Sequence, residues 1–242
     1  MKFEKLDFHT DPTRILPNIY LSQALASSKQ LLGDDGFRVV INRASTILPE
    51  MNIYHYEGKW PPADTELCIK ASHYSTLFQA IEETGGGRAQ LVDIGIKTAY
   101  MGFEGLGPSM KASLSILKKL PGFRWRTGVV LKAMADDLMD IFPRDREMKA
   151  ILFEEDNEKS VFRYIDRTGD SCWGRTGQKK PVCHVYRGGI IGAIQLATGY
   201  VPNVKEVMCM ACDDPACVFE VDFEPVGKSP RLSEKFLDKI DS

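Results

Sequence analysis

No stretch of this chain stays apolar for the roughly 18 to 20 residues that cross a bilayer. Its opening, MKFEKLDFHTDP, also lacks the apolar core of a leader peptide. The expectation is a cytoplasmic protein that is not integral to a membrane. Charge of one sign is missing too: 31 Lys and Arg against 33 Asp and Glu leave a formal net charge of −2. No global field therefore draws the chain onto nucleic acid, and none is expected as a partner. Histidine is scarce, with four residues scattered at positions 9, 55, 73 and 184, so no acid–base constellation can be assigned. The motifs G-x-x-x-x-G-K-[ST], G-x-S-x-G and H-E-x-x-H are absent, and the run Gly85-Gly86-Gly87 completes no G-x-G-x-x-G. An enzyme that moves hydride from a nicotinamide or flavin normally carries a phosphate-binding loop, and none is visible. Repeats and low-complexity tracts are likewise missing.

What is present is a chain of 242 residues, 43% of them hydrophobic, long enough to bury a sizeable core. Asn18–Leu32 has helical spacing and is expected to close at Gly33, and 36–45 reads as either a short helix or a strand. Residues 46–72 mix Pro49, Gly58, Pro61 and Pro62 with Tyr54, Tyr56 and Trp60, which suggests an insertion or flap. Helical periods follow over Tyr74–Thr84, Arg88–Phe103, Ser109–Leu120 and Trp125–Phe142, with glycine and proline at each corner. Beyond Pro143 the pattern changes. Met148–Glu154 and Ser160–Ile165 read as a β-hairpin turning at Asp156-Asn157, Cys183–Gly199 as a helix, and Val204–Met210 and Cys217–Phe223 as two more strands. The expected fold is α+β, an antiparallel sheet packed against a helical layer. Residues 1–142 form its mainly helical part, 143–226 the α+β core and 227–242 a tail.

Cysteine is sparse at first, with Cys68 alone in the first 171 residues, and then dense: Cys172, Cys183, Cys209, Cys212 and Cys217 follow within one short stretch. A secreted disulfide scaffold would spread them through a much shorter chain, whereas a local cluster suits a metal. Cys209, Cys212 and Cys217 form C-x2-C-x4-C, and the Asp213-Asp214-Pro215 turn can fold the last thiol back beside the first two. Close thiolates repel unless a cation neutralises them, and zinc accepts sulfur with a carboxylate or imidazole as a further ligand. Buried or redox-active thiols are the alternative.

CWGR at 172–175, VCH followed by a glycine-bearing helix at 182–192, and E-x2-C-x7-C from Glu206 to Cys217, followed by Val218-Phe219-Glu220, together resemble the 4-vinyl reductase domain family. That family shares its fold with a subunit of the vesicle-tethering TRAPP complex and with haem-based nitric oxide sensors. The match is strongest over residues 145–223. In phenol-sensing regulators with this domain, zinc is held by three cysteines and a glutamate, and the resemblance carries those ligands onto Cys183, Glu206, Cys209 and Cys217. The departure is CMAC at 209–212, shared with photosynthesis-associated members that also carry CWGR. It leaves Cys172 and Cys212 as reserve ligands, redox partners or buried thiols.

Gly188, Gly189 and Gly192 lie inside an expected helix, where each costs about 0.8 to 1 kcal/mol relative to alanine. Something must come close to them: either the sheet packs there, or a flat ligand does. Phe103, Trp125 and Trp173, with Tyr100, Phe142, Phe162, Met101, Met134 and Met139, either line an apolar cavity or belong to the core. His184 is either a substitute ligand for Glu206 or an oriented neighbour. The resemblance implies a zinc-stabilised binder of a hydrophobic small molecule, a tetrapyrrole such as a chlorophyll precursor or an aromatic hydrocarbon, with a carrier or assembly role. The alternatives it implies are a 4-vinyl reductase, or an accessory subunit of one, and a dimeric interaction or sensor module. A homodimer is expected, with Met110, Leu114, Leu117 and Leu120 as a candidate contact stripe.

Overall fold

A computed structural model describes residues 6–104, 117 and 122–228. The expected 109–120 helix, apart from the buried, helical Leu117, and the tail beyond Lys228 lie outside the described residues. Helix α1 runs Asn18–Ile47 and breaks at Gly33, whose φ of 71° and ψ of 174° are not helical. The chain then resumes the helix instead of forming a strand. Phe37, Val40, Ile41 and Ala44 return at helical spacing to one buried face, and that burial outweighs the β-branched run within it.

The 46–72 segment is built into the structure. It makes 3-10 turns at Pro49–His55 and Glu57–Lys59, and Trp60 is held by its Nε1–H on the Tyr54 carbonyl (2.9 Å) and its ring against Phe37 (5.5 Å). The segment ends in strand β2 (Leu67–Lys70), antiparallel to β1 (Ile15–Pro17). Helices α2 (Ala71–Glu83), α3 (Arg88–Glu104), α4 (Phe123–Ile141) and the short α5 (Pro143–Glu147) follow.

Strands β3 (Ile151–Asp156) and β4 (Val161–Asp166) form the expected hairpin. Helix α6 (His184–Thr198) stops at Gly199, left-handed at φ 76°, whose N–H caps the Gln195 carbonyl. Strands β5 (Tyr200–Met208) and β6 (Cys217–Lys228) complete an antiparallel sheet of order β3-β4-β6-β5. The fold is thus mixed helix and antiparallel sheet, and no helix among the described residues is long and apolar enough to cross a membrane.

Two apolar clusters fill it. One joins the sheet, α4 and α6 through residues such as Leu131, Phe162, Tyr164, Ile190, Ile194 and Phe219; the other joins α1, α2 and α3 through Leu25, Ile41, Leu77, Phe78 and Ile94. Helices α3 and α6 cross between them at very short range. A Cβ on Gly188 would collide with the Val92 carbonyl, one on Gly95 with the Val185 carbonyl, and one on Gly192 would stand 2.8 Å from the Ala99 Cβ. The close approach anticipated for the glycine helix is therefore that of another helix, and Gly188 and Gly192 do not face a ligand cavity. Only Gly189 of the three has open space around its Cβ position.

This separates two substitutions one residue apart. Gly188→Ala overpacks the crossing and should lower stability in urea unfolding by about 1 to 3 kcal/mol. Gly189→Ala, with nothing to strike, should be neutral or stabilising by up to about 1 kcal/mol through helix propensity.

Candidate metal centre

Four thiols from four segments meet inside the protein. Cys172 ends the 3-10 turn Asp170–Cys172, Cys183 is the N-cap of α6, Cys209 follows β5, and Cys217 opens β6. All four are buried, and their sulfurs lie within 4.8 Å of one another. The separations are 3.5 Å for Cys183–Cys217, 3.7 Å for Cys183–Cys209 and 3.7 Å for Cys172–Cys217. Four sulfurs placed about 2.3 Å from one ion at tetrahedral angles would be about 3.8 Å apart. The cluster therefore has the dimensions of a four-thiolate metal site, and none of these cysteines is disulfide-bonded.

Local chemistry explains how the chain brings them together. The ladder between β5 and β6 shifts register between Glu206 and Met208, and a 3-10 turn at Met210–Cys212 follows, so Cys209 leaves the strand pleat. Asp214 closes this loop by accepting the Cys209 N–H at 2.8 Å, and Asp213 takes a left-handed φ of 67°. The Met210 N–H then points at the Cys217 sulfur, 3.4 Å away. On the other side, Gly174 and Gly177, both with positive φ, fold residues 173–182 back so that Cys172 returns beside Cys183. The Gln178 N–H on the Ala211 carbonyl pins that loop.

Without a cation the four thiols divide one charge. Sulfur contacts from Cys172, Cys183 and Cys217 hold the Cys209 thiol far below its ordinary range. The same contacts, with burial, push the other three up. A divalent ion would relieve this frustration by letting all four ionise.

The fourth member of the cluster is Cys172, in the place where the resemblance set Glu206. Glu206 sits against the site: its Oε2 accepts the Cys183 N–H at 3.0 Å, and its Oε1 is buried with no hydrogen-bond partner. Burial and the Cys209 charge push this carboxyl up to about 9, so it holds its proton at neutral pH. His184 is buried beside Cys183 without entering the cluster, and its ring nitrogens have no partner. Cys212 remains a half-buried thiol at the edge.

The expected ligand-lining aromatics do not converge. Trp125, 54% exposed, lines an open surface groove of about 540 Å³ with Val129, Phe153 and Phe162. Phe103 is buried near the end of α3, and Trp173 packs on the helical cluster with its Nε1–H on the Asp11 carbonyl.

Sequence reasoning missed the ion network beside the site. Arg14 forms two-pronged bonds, all 2.8 to 2.9 Å, with both Asp145 and Asp170, the latter opening the turn that carries Cys172. Burial alone would lower the Arg14 pKa, but the two carboxylates outweigh it and hold the guanidinium firmly charged. Partners this distant along the chain leave no local signal.

Residues 171–223 match the family model of the 4-vinyl reductase domain, a span that contains all four clustered cysteines and α6. No curated protein matches the chain. Among solved structures, the chain is similar to the crystal structure of the phenol-responsive sensory domain of the transcription activator PoxR with phenol. Identity is 14%, coverage is 75% of this chain and 85% of that one, and the TM-score is 0.38.

If the cluster organises the core, its members should not tolerate truncation. Cys217→Ala should lower the unfolding free energy by more than about 2 kcal/mol, while Cys68→Ala, at an exposed site, should stay within about 0.5 kcal/mol. Chemical unfolding of the two variants beside the parent measures the difference, and equal effects would count against the site.

Proposed function

We propose that this chain is a zinc-stabilised binding protein for a hydrophobic small molecule, a tetrapyrrole such as a chlorophyll precursor being the favoured ligand, with a carrier or assembly role as a cytoplasmic homodimer. The observation that carries the reading is that the span matching the 4-vinyl reductase domain, residues 171–223, is also the span that gathers the four buried thiols. Cys172, Cys183, Cys209 and Cys217 would hold the zinc, with the Glu206 carboxyl beside them on the Cys183 amide. Zinc in four thiolates is closed to further ligands and does not change oxidation state, so its contribution is structural.

Support for a ligand comes from the seam between the two apolar clusters. Tyr20 and Tyr74 of the helical cluster have ring centroids 6.0 Å apart. Tyr186 donates its hydroxyl to Tyr164 on the sheet side at 3.3 Å, and Tyr186 stacks on Phe219. Burial pushes all four phenols up, so they face the seam as neutral groups. Neutral aromatic surface at the meeting of two layers suits an apolar ring compound.

Elemental analysis of protein made without chelators should find one zinc per chain; none, or iron in its place, would overturn the metal assignment. Cys172→Ser should lose that zinc to a chelator faster than the parent, whereas Glu206→Gln should retain it. Titration with a vinyl-bearing chlorophyll precursor should give saturable binding, read from its absorption band, with the vinyl group unchanged after nicotinamide cofactor is added. Conversion of the pigment by the isolated chain would replace the binder with the reductase.

A further inference from the structure

His9 lies far from the cysteines in sequence, yet its ring is almost completely buried against one of them. Its Nε2 is 2.8 Å from the Cys172 carbonyl oxygen and 3.6 Å from the Cys172 sulfur. A carbonyl has no proton to give, so Nε2 carries the hydrogen, and that N–H is shared between the oxygen and the sulfur. The approach is built into the backbone. At Gly169, with φ of 63°, a Cβ would stand 2.8 Å from the His9 ring and equally close to the Met210 sulfur. Two further bonds lace the N-terminal segment to the CWGR stretch: the Gly174 N–H to the His9 carbonyl at 2.9 Å, and the Trp173 Nε1–H to the Asp11 carbonyl at 3.2 Å.

Four thiolates around a divalent ion carry a net charge of −2 in a buried place, and N–H groups aimed at the sulfurs are what can spread that charge. Met210 supplies one such N–H, to Cys217. We propose that His9 is a positioning residue of the metal centre: its Nε2–H donates to the Cys172 thiolate, fixes that ligand, and joins the N-terminal segment to the metal. This rests on the four-thiolate metal site proposed above. It adds a residue outside the span that matches the family model, so that the isolated 171–223 region would lack one of the donors to its own site.

Cobalt(II) can replace zinc in the full-length protein and report on the thiolates through its sulfur-to-metal charge-transfer band. His9→Leu should shift this band to lower energy, because a thiolate without its donor is easier to oxidise. It should also weaken metal retention against a chelator by about 10- to 100-fold, the usual effect of losing an outer partner of a metal ligand. His9→Gln, whose side-chain N–H reaches the same place, should restore both readings. Trp173→Phe removes a neighbouring tie without touching the sulfur, and should leave the band in place. Cobalt binding that is the same in His9→Leu and the parent would overturn the role of His9 and leave the metal site standing. A band shift in Trp173→Phe as large as in His9→Leu would also overturn it, by showing that packing alone positions Cys172. Failure of the parent to bind zinc or cobalt would remove the metal site itself, and this inference with it.

Discussion

Four sulfurs held within 4.8 Å of one another cannot all be ionised in a dry interior without a cation, and much of the architecture follows from keeping them there. Each comes from a different segment: a 3-10 turn, a helix N-cap, the end of one strand and the start of another. An ion bound to all four would tie the sheet, α6 and the CWGR loop at one point. Residues 173–182 contain no helix or strand, so their path depends on that point and on a few backbone bonds such as Gln178 to Ala211. The metal centre thus does for this region what a small apolar core does elsewhere.

The Arg14 network is the counterpart on the N-terminal side. A buried ion pair contributes little net stability once desolvation is counted, but removing one partner strands a charge. Arg14 shares its five donors between Asp145 and Asp170, so it fixes the segment before β1 against both α5 and the turn that presents Cys172. Its value is geometric: it sets where Cys172 starts, and the metal would set where it ends.

Periodic apolar spacing made α2, α3, α4 and α6 legible, because each buries one stripe and is punctuated by glycine or proline. Strand ends were less legible. The ladders of β5 and β6 extend to Tyr200 and Lys228, since pairing with a neighbour, and not local composition, decides how far a strand runs. The glycines of α6 announced a close approach but could not say of what; the answer, α3, required Gly95 on a separate helix to be equally bare. Three of the four clustered thiols were legible through their spacing and the family resemblance. Cys172 was not, because it reaches the site only through the backward fold that Gly174 and Gly177 permit. His9 and Arg14 left no signal at all, their partners lying more than a hundred residues away.

A site closed by four thiolates also bears on where any ligand chemistry can occur. It offers no open position to substrate or water, and the thiolates are buried, so nothing can react at the metal without first dismantling the core. The glycine face of α6 is likewise spent on α3. What remains between the two layers is the seam of Tyr20, Tyr74, Tyr164 and Tyr186, whose hydroxyls burial keeps neutral and whose rings are aromatic surface. Groups of this kind hold and orient a flat molecule; being so reluctant to ionise, they are poor acids and poorer bases near neutral pH. Binding is the chemistry these residues can perform, and the metal's part is to hold α6, which carries Tyr186, and the sheet, which carries Tyr164, in register around whatever is bound.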